Sequence, residues 1–180
     1  SALGEKLSSL IFEGPQEKLT YTTNAQPALL ATSIAILEHF RKSGVKPDFT
    51  AGHSLGEYTA LVAAGAFSFK EAVRAVRLRG ELMEKAVPKG QGTMAAVLGL
   101  ARENLEAVCR TASTSDEPVE LANLNCPGQI VISGSRQGVE AASVLAKETG
   151  AKRVLPLNVS GPFHSSLMKA AAGDLEKVLE

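Results

Sequence analysis

The segment Gly52-His53-Ser54-Leu55-Gly56 constrains this chain more than any other. Pro47-Asp48-Phe49-Thr50-Ala51 before it reads as a short strand, and Leu55 to Ala64 after it is built of helix formers and stops at Gly65. A strand that passes into a helix through Gly-x-Ser-x-Gly must turn sharply, and glycines on both sides relieve the crowding of that turn. The serine oxygen is then exposed on a strained corner. The residue after it can aim its backbone N–H at a developing oxyanion, so Leu55 matters through its main chain. The same letters also fit a plain helix start with Ser54 as N-cap, and spacing alone leaves both readings open.

Pro27 followed by a nearly all-apolar run to Phe40, closed by Ser43-Gly44, predicts a helix apolar on most sides and packed between layers. Ser68-Phe69-Lys70-Glu71 is a capping box, opening a helix with Val73, Val76, Gly80, Met83 and Val87 on its apolar stripe and Pro88 as its stop. Beyond Gly90-Gln91-Gly92 the pattern changes. Strand-like runs at Thr93–Leu100, Val119–Leu124, Ile130–Ser133 and Arg153–Leu157 alternate with helical segments Arg102–Thr111 and Gln137–Glu148. The Asn125-Cys126-Pro127-Gly128 turn joins the middle strands. Strand, helix, strand, strand, helix, strand is the order of a ferredoxin-like layer. The expected fold is therefore α/β: a hydrolase-like core with a short parallel sheet and flanking helices from residues 1–92 and 161–180, and an inserted ferredoxin-like α+β small domain at 93–160.

Charge and composition remove several function classes. Nineteen basic against nineteen acidic residues give no net charge, and no Lys/Arg run is present, which argues against a nucleic-acid surface. The apolar stretch Ala28–Leu37 is too short to cross a bilayer and runs into Glu38, His39, Arg41 and Lys42, so no membrane span is expected. Cys109 and Cys126 form no CxxC pair, which predicts two free thiols in a reducing compartment, no metal and no disulfide. The sequence opens at Ser1 without methionine and runs to Glu180 inside a helical pattern. It reads as a piece cut at both ends, with any targeting peptide out of view.

Ser54 needs a base, and three histidines are available. His39 lies among charges and reads as solvated. His53 adjoins the serine, where successive side chains diverge. His164, in the loop Gly161-Pro162-Phe163-His164-Ser165-Ser166, is where an accessible imidazole can be presented, although a capping region with an incidental histidine fits equally. In the Ser68 helix Arg74 falls on the solvated side, whereas Arg77 and Arg79 flank the apolar stripe, one on either margin. Either could pair with a substrate carboxylate or serve in a surface ion pair.

These residues bring a family into view. With Asn24-Ala25-Gln26-Pro27-Ala28-Leu29, Gly52-His53-Ser54-Leu55-Gly56-Glu57-Tyr58, Arg77-Leu78-Arg79-Gly80, Asn125-Cys126-Pro127-Gly128-Gln129 and Gly161-Pro162-Phe163-His164-Ser165 in order, the chain resembles the malonyl-CoA:acyl carrier protein transacylases and the related acyltransferase domains of polyketide synthases. The resemblance covers nearly the whole chain. It implies Ser54 as nucleophile, His164 as base, the Leu55 N–H in the oxyanion hole, and Arg79 as the arginine that holds the malonyl carboxylate. It implies ping-pong transfer from malonyl-CoA to the phosphopantetheine thiol of acyl carrier protein, in cytoplasmic fatty-acid synthesis, without cofactor or metal. Phe163 resembles the malonyl-selecting branch of the family.

The departures from the family pattern are at the ends. The first strand, whose Gly-Gln-Gly glutamine completes the oxyanion hole, would lie before Ser1, and Gly90-Gln91-Gly92 is a hinge that does not replace it. The polar group that orients the histidine would follow Glu180. The piece by itself is thus expected to lack full activity. Competing readings are a serine hydrolase or thioesterase, an acyltransferase module of a polyketide synthase, and a non-catalytic carrier-docking fragment.

Overall fold

The computed structural model describes residues 2–88 and 90–179. Helices and one antiparallel sheet make the chain α/β, and it divides into two units: Ser1–Leu82 with Leu175–Glu180, and Met83–Asp174.

The first unit holds α1 (Leu7–Glu13), α2 (Gln16–Leu19), α3 (Thr22–Arg41), α4 (Gly56–Ala63) and most of α5 (Phe69–Ala86). Helix α3 begins before the expected Pro27 start, and the proline lies inside it. Its first turns are held by polar side chains that a hydrophobic pattern ignores: Gln26 Nε2 donates to Thr22 Oγ1 at 2.8 Å, and Asn24 Nδ2 donates to the Lys18 carbonyl at 2.8 Å. Leu30 and Ile34 of α3 pack with Tyr58 and Val62 of α4 and with Ala72, Val73 and Val76 of α5. Among the described residues the opposite side carries Leu29, Ile36 and Phe40, each more than half exposed.

The expected strand at residues 47–51 is not formed. Phe49 is 94% exposed. An isolated extended segment has no ladder to satisfy its N–H and C=O groups, and no described residue pairs with this one. No parallel sheet is present among the described residues. The capping box at Ser68 does form: Glu71 Oε2 accepts from the Ser68 N–H at 3.0 Å, and Ser68 Oγ accepts from the Glu71 N–H at 3.2 Å. That closure holds the Glu71 carboxyl below its ordinary pKa, through the Ser68 hydroxyl first and its N–H second.

The second unit runs β1 (Gly92–Leu98), α6 (Arg102–Ala112), β2 (Val119–Cys126), β3 (Gln129–Ser135), α7 (Arg136–Glu148) and β4 (Arg153–Pro156), followed by a short 3-10 turn at Ser166–Met168 and α8 (Lys169–Leu179), which ends beyond it. The strands lie in the order β2-β3-β1-β4, every neighbour antiparallel. Alternation divides their side chains between two faces. Ala95, Val97, Ile130 and Ile132 form a core with Leu105 and Val108 of α6 and Val139 and Ala142 of α7. Met94, Ala96 and Val131 point the other way, and Leu157, Val159 and Phe163 pack on them. The chain after β4 therefore lies against the face opposite the helices. Among the described residues no helix is long and apolar enough to cross a membrane.

Candidate active site

Ser54 sits at φ +52°. A side chain in the left-handed region is held there at a cost of order 1–3 kcal/mol, which surrounding structure must offset. The turn has that structure. Gly56 N–H donates to His53 O at 2.9 Å, Glu57 N–H to Ser54 O at 3.1 Å and Tyr58 N–H to Leu55 O at 3.1 Å, winding directly into α4. Gly52 is required for this fold-back: a Cβ there would stand 1.9 Å from the Gly56 carbonyl carbon and 2.2 Å from the Glu57 nitrogen. Gly56 is not required for space, since nothing lies within 4 Å of where its Cβ would be. Crowding thus accounts for one of the two motif glycines.

Leu55 is the N-cap residue of α4 and makes no side-chain cap hydrogen bond. The Leu55 N–H takes part in none of the turn's hydrogen bonds. Ser54 Oγ is engaged from α5, accepting from Arg79 Nη2 at 3.0 Å.

Arg79 is positioned by three neighbours in the same unit. Its Nη1 donates to Gln26 Oε1 at 2.6 Å, and its guanidinium lies 5.9 Å from the centre of the Tyr58 ring. Gln26 is only 4% exposed and is itself oriented by Thr22. Gly80 permits the approach that makes this reach short, because a Cβ there would come within 2.8 Å of the Thr22 carbonyl oxygen. Burial draws the Arg79 pKa down from its ordinary value, with Tyr58 and then Glu57 acting in the opposite direction. Arginine stays charged through such a shift. Among the described residues Arg79 forms no ion pair.

Arg77, the alternative on spacing, is used otherwise. It donates to Asn24 Oδ1 at 2.8 Å and pairs with Glu5. Arg74 is exposed and donates to the Ala2 carbonyl at 3.2 Å. Gln26 escaped sequence reasoning as a residue near the site. Its signal was present, as an amide immediately before Pro27 and the apolar run, but the partner that explains it lies 53 residues away.

His164 belongs to the second unit and is exposed, at φ +59°. Its loop is fixed on both sides. Pro162 is buried against Gly92, where a Cβ would meet the proline ring at 2.4 Å, and Ser165 Oγ donates to the Pro162 carbonyl at 2.7 Å. Downstream the Ser166 N–H donates to Glu120 Oε1 at 2.5 Å. His39 and His53 are exposed. The described residues contain no group of three His, Cys, Asp or Glu fit to hold a metal. Both cysteines are free, Cys126 exposed and Cys109 buried with its pKa pushed up to about 11 by that burial.

A match to the acyl transferase domain family spans residues 1–180. The chain is similar to the malonyl CoA-acyl carrier protein transacylase of Bacillus subtilis, 66% identical over 178 residues that make up 99% of this chain and 56% of that protein. Among solved structures it is similar to an acyl carrier protein S-malonyltransferase from Vibrio cholerae, with 50% identity, TM-score 0.93, and coverage of 99% of this chain and 58% of that one. A malonyl-transacylase solved in complex with a type II PKS acyl-carrier protein is similar with TM-score 0.95 at 47% identity, again covering 99% of this chain and 58% of that one. The chain spans little more than half the length of these relatives.

Proposed function

Because the chain belongs to the acyl transferase domain family, we propose that the protein containing it moves a malonyl group from malonyl-CoA to the phosphopantetheine thiol of an acyl carrier protein, in cytoplasmic fatty-acid synthesis. Ser54 is the nucleophile. Its Oγ attacks the thioester carbonyl as His164 takes the proton, the C–S bond breaks, and coenzyme A leaves with that proton, so that a malonyl ester remains on Ser54. The carrier thiol then gives its proton to His164, attacks the ester and releases the serine, which recovers a proton from His164. The Leu55 N–H stabilises the oxyanion in both steps.

The observation that carries this reading is the guanidinium of Arg79, charged, without an ion pair among the described residues and 3.0 Å from Ser54 Oγ. A plain ester hydrolase has no use for a half-buried cation at its serine. An acyl group that ends in a carboxylate does, because the planar fork accepts it bidentately. The names of the relatives supply the acyl group, malonyl. For the second unit we assign a ferredoxin-like small domain at 93–160, inserted in a hydrolase-like core of 1–92 and 161–180; the strand order β2-β3-β1-β4 with two helices on one face supports it. In that core residues 47–51 would complete a parallel sheet with chain outside the present sequence, and the second oxyanion donor would come from the same source.

The test is mass spectrometry of the full-length protein after exposure to malonyl-CoA. A malonyl adduct on Ser54, lost in Ser54→Ala and discharged by adding holo acyl carrier protein, is expected. Absence of the adduct, or its discharge to water as fast as to the carrier, overturns the proposal.

A further inference from the structure

We propose that Glu120 is a positioning residue for His164, acting through the backbone of Ser166; the inference rests on the acyl-transfer reading above. The sheet's geometry brings the two together. Val119 and Leu121 of β2 turn toward the helices, so Glu120 between them turns to the opposite face, the one on which Phe163, Leu157 and Val159 of the histidine loop are packed. From there its Oε1 reaches the Ser166 N–H at 2.5 Å, across 46 residues of sequence. Opposite Glu120 on β3 stands Ser133, whose buried hydroxyl makes no hydrogen bond among the described residues, so the carboxylate reaches the loop in preference to its nearest cross-strand donor.

The loop needs such a tie. His164 is held at φ +59°, a conformation that persists only where the neighbouring chain over-determines it. Upstream, the Pro162–Gly92 contact and the Ser165–Pro162 hydrogen bond act within the loop and against the start of β1. Downstream, the Ser166 N–H opens a three-residue 3-10 turn and would otherwise be an orphan donor. Glu120 satisfies it with a charge-assisted bond from a rigid strand. The imidazole is thus bracketed, Pro162 two residues before it and Ser166 two after.

The experiment compares wild type, Glu120→Ala and Glu120→Gln in the full-length protein, the glutamine keeping an oxygen acceptor at the same reach. In Glu120→Ala the rate of Ser54 acylation by malonyl-CoA is expected to fall about tenfold to a hundredfold, the scale of a misplaced catalytic group. The KM for malonyl-CoA stays within about twofold, because Arg79 and not the loop holds the carboxylate. Amide hydrogen exchange over residues 161–168 rises in the alanine variant, and Glu120→Gln recovers most of both the rate and the protection. Wild-type acylation in Glu120→Ala overturns the inference. So does a glutamine variant as slow as alanine, or a rate loss that tracks a lowered Tm without a local change in exchange. A wild-type protein that never acylates Ser54 would instead defeat the transferase reading, while the exchange comparison still judges the hold of Glu120 on the loop.

Discussion

Arg79 reaches Ser54 from α5, its Nη2 donating to the serine Oγ at 3.0 Å while Nη1 of the same guanidinium is held at 2.6 Å by the buried Gln26. One edge of the cation is anchored and the other rests on the serine. On the proposed reading, a carboxylate arriving with the acyl group would replace a weak neutral acceptor by a charged one and so free Ser54 Oγ for attack.

Replacing Arg79 should therefore change selectivity. In full-length Arg79→Ala, acylation of Ser54 by malonyl-CoA is expected to fall about a hundredfold or more, the scale of removing one partner of a desolvated charge pair, while acetyl-CoA loading changes little. Arg79→Lys should recover only a minor part, since an ammonium lacks the planar fork. Single-turnover measurements with both thioesters give the ratio, and an unchanged ratio removes Arg79 from acyl selection.

Gln26 offers a finer test of the same geometry. A carboxylate introduced by Gln26→Glu would pair with Arg79 internally and occupy the cation, so malonyl loading should drop while neutral acyl groups are spared. Gln26→Leu leaves Nη1 unsatisfied in a buried setting and should cost about 1–3 kcal/mol of stability. Acylation kinetics beside thermal melts of the two variants separate the electrostatic effect from the packing effect.

The turn itself predicts an asymmetry between positions that look alike in the motif. Gly52→Ala would place a Cβ within 2.2 Å of three backbone atoms of Gly56 and Glu57. Backbone cannot yield as a side-chain end does, and a loss of about 3 kcal/mol is expected from overpacking alone. Denaturant unfolding of the variant measures it. A loss below about 1 kcal/mol would mean that the turn is looser than its contacts indicate.

The cysteines should differ in reactivity and in their effect on pH dependence. The Cys109 thiol is pushed from 9.0 up to about 11, chiefly by burial. The folded state therefore holds this proton more tightly than the unfolded state does. Its contribution to stability is complete below pH 9 and is lost as pH rises toward 11. A maleimide at neutral pH is expected to modify the exposed Cys126 and to reach Cys109 only after denaturation. Peptide mapping of the labelled protein decides it.

The parts legible in sequence are those in which neighbours in the chain supply the stabilising contacts. The capping box at Ser68 and Glu71 forms because both partners lie within one turn. The succession of β1, α6, β2, β3, α7 and β4 agrees with the apolar periodicities to within about two residues, since each element buries a face whose period is its own. Where a neighbour is missing the reading fails. Residues 47–51 have strand-like composition, yet composition cannot supply the adjacent strand. Pro27 looked like a helix start, yet Thr22 and Gln26 hydrogen-bond one turn earlier and carry the helix back through it.

By itself the sequence determined which chemical groups are present and the local turns that carry Ser54 and His164, because φ, ψ and capping preferences act over a few residues. Periodicity left Arg77 and Arg79 equivalent, both on a stripe margin of one helix, and only the family resemblance singled out Arg79. Tertiary structure gives them different neighbours: Gly80 lets α5 close on the backbone of α3, where Glu5 and Asn24 take Arg77 and Gln26 turns Arg79 toward Ser54. Periodicity places a side chain on a face of its own helix, and what waits opposite that face is set by packing between segments tens of residues apart.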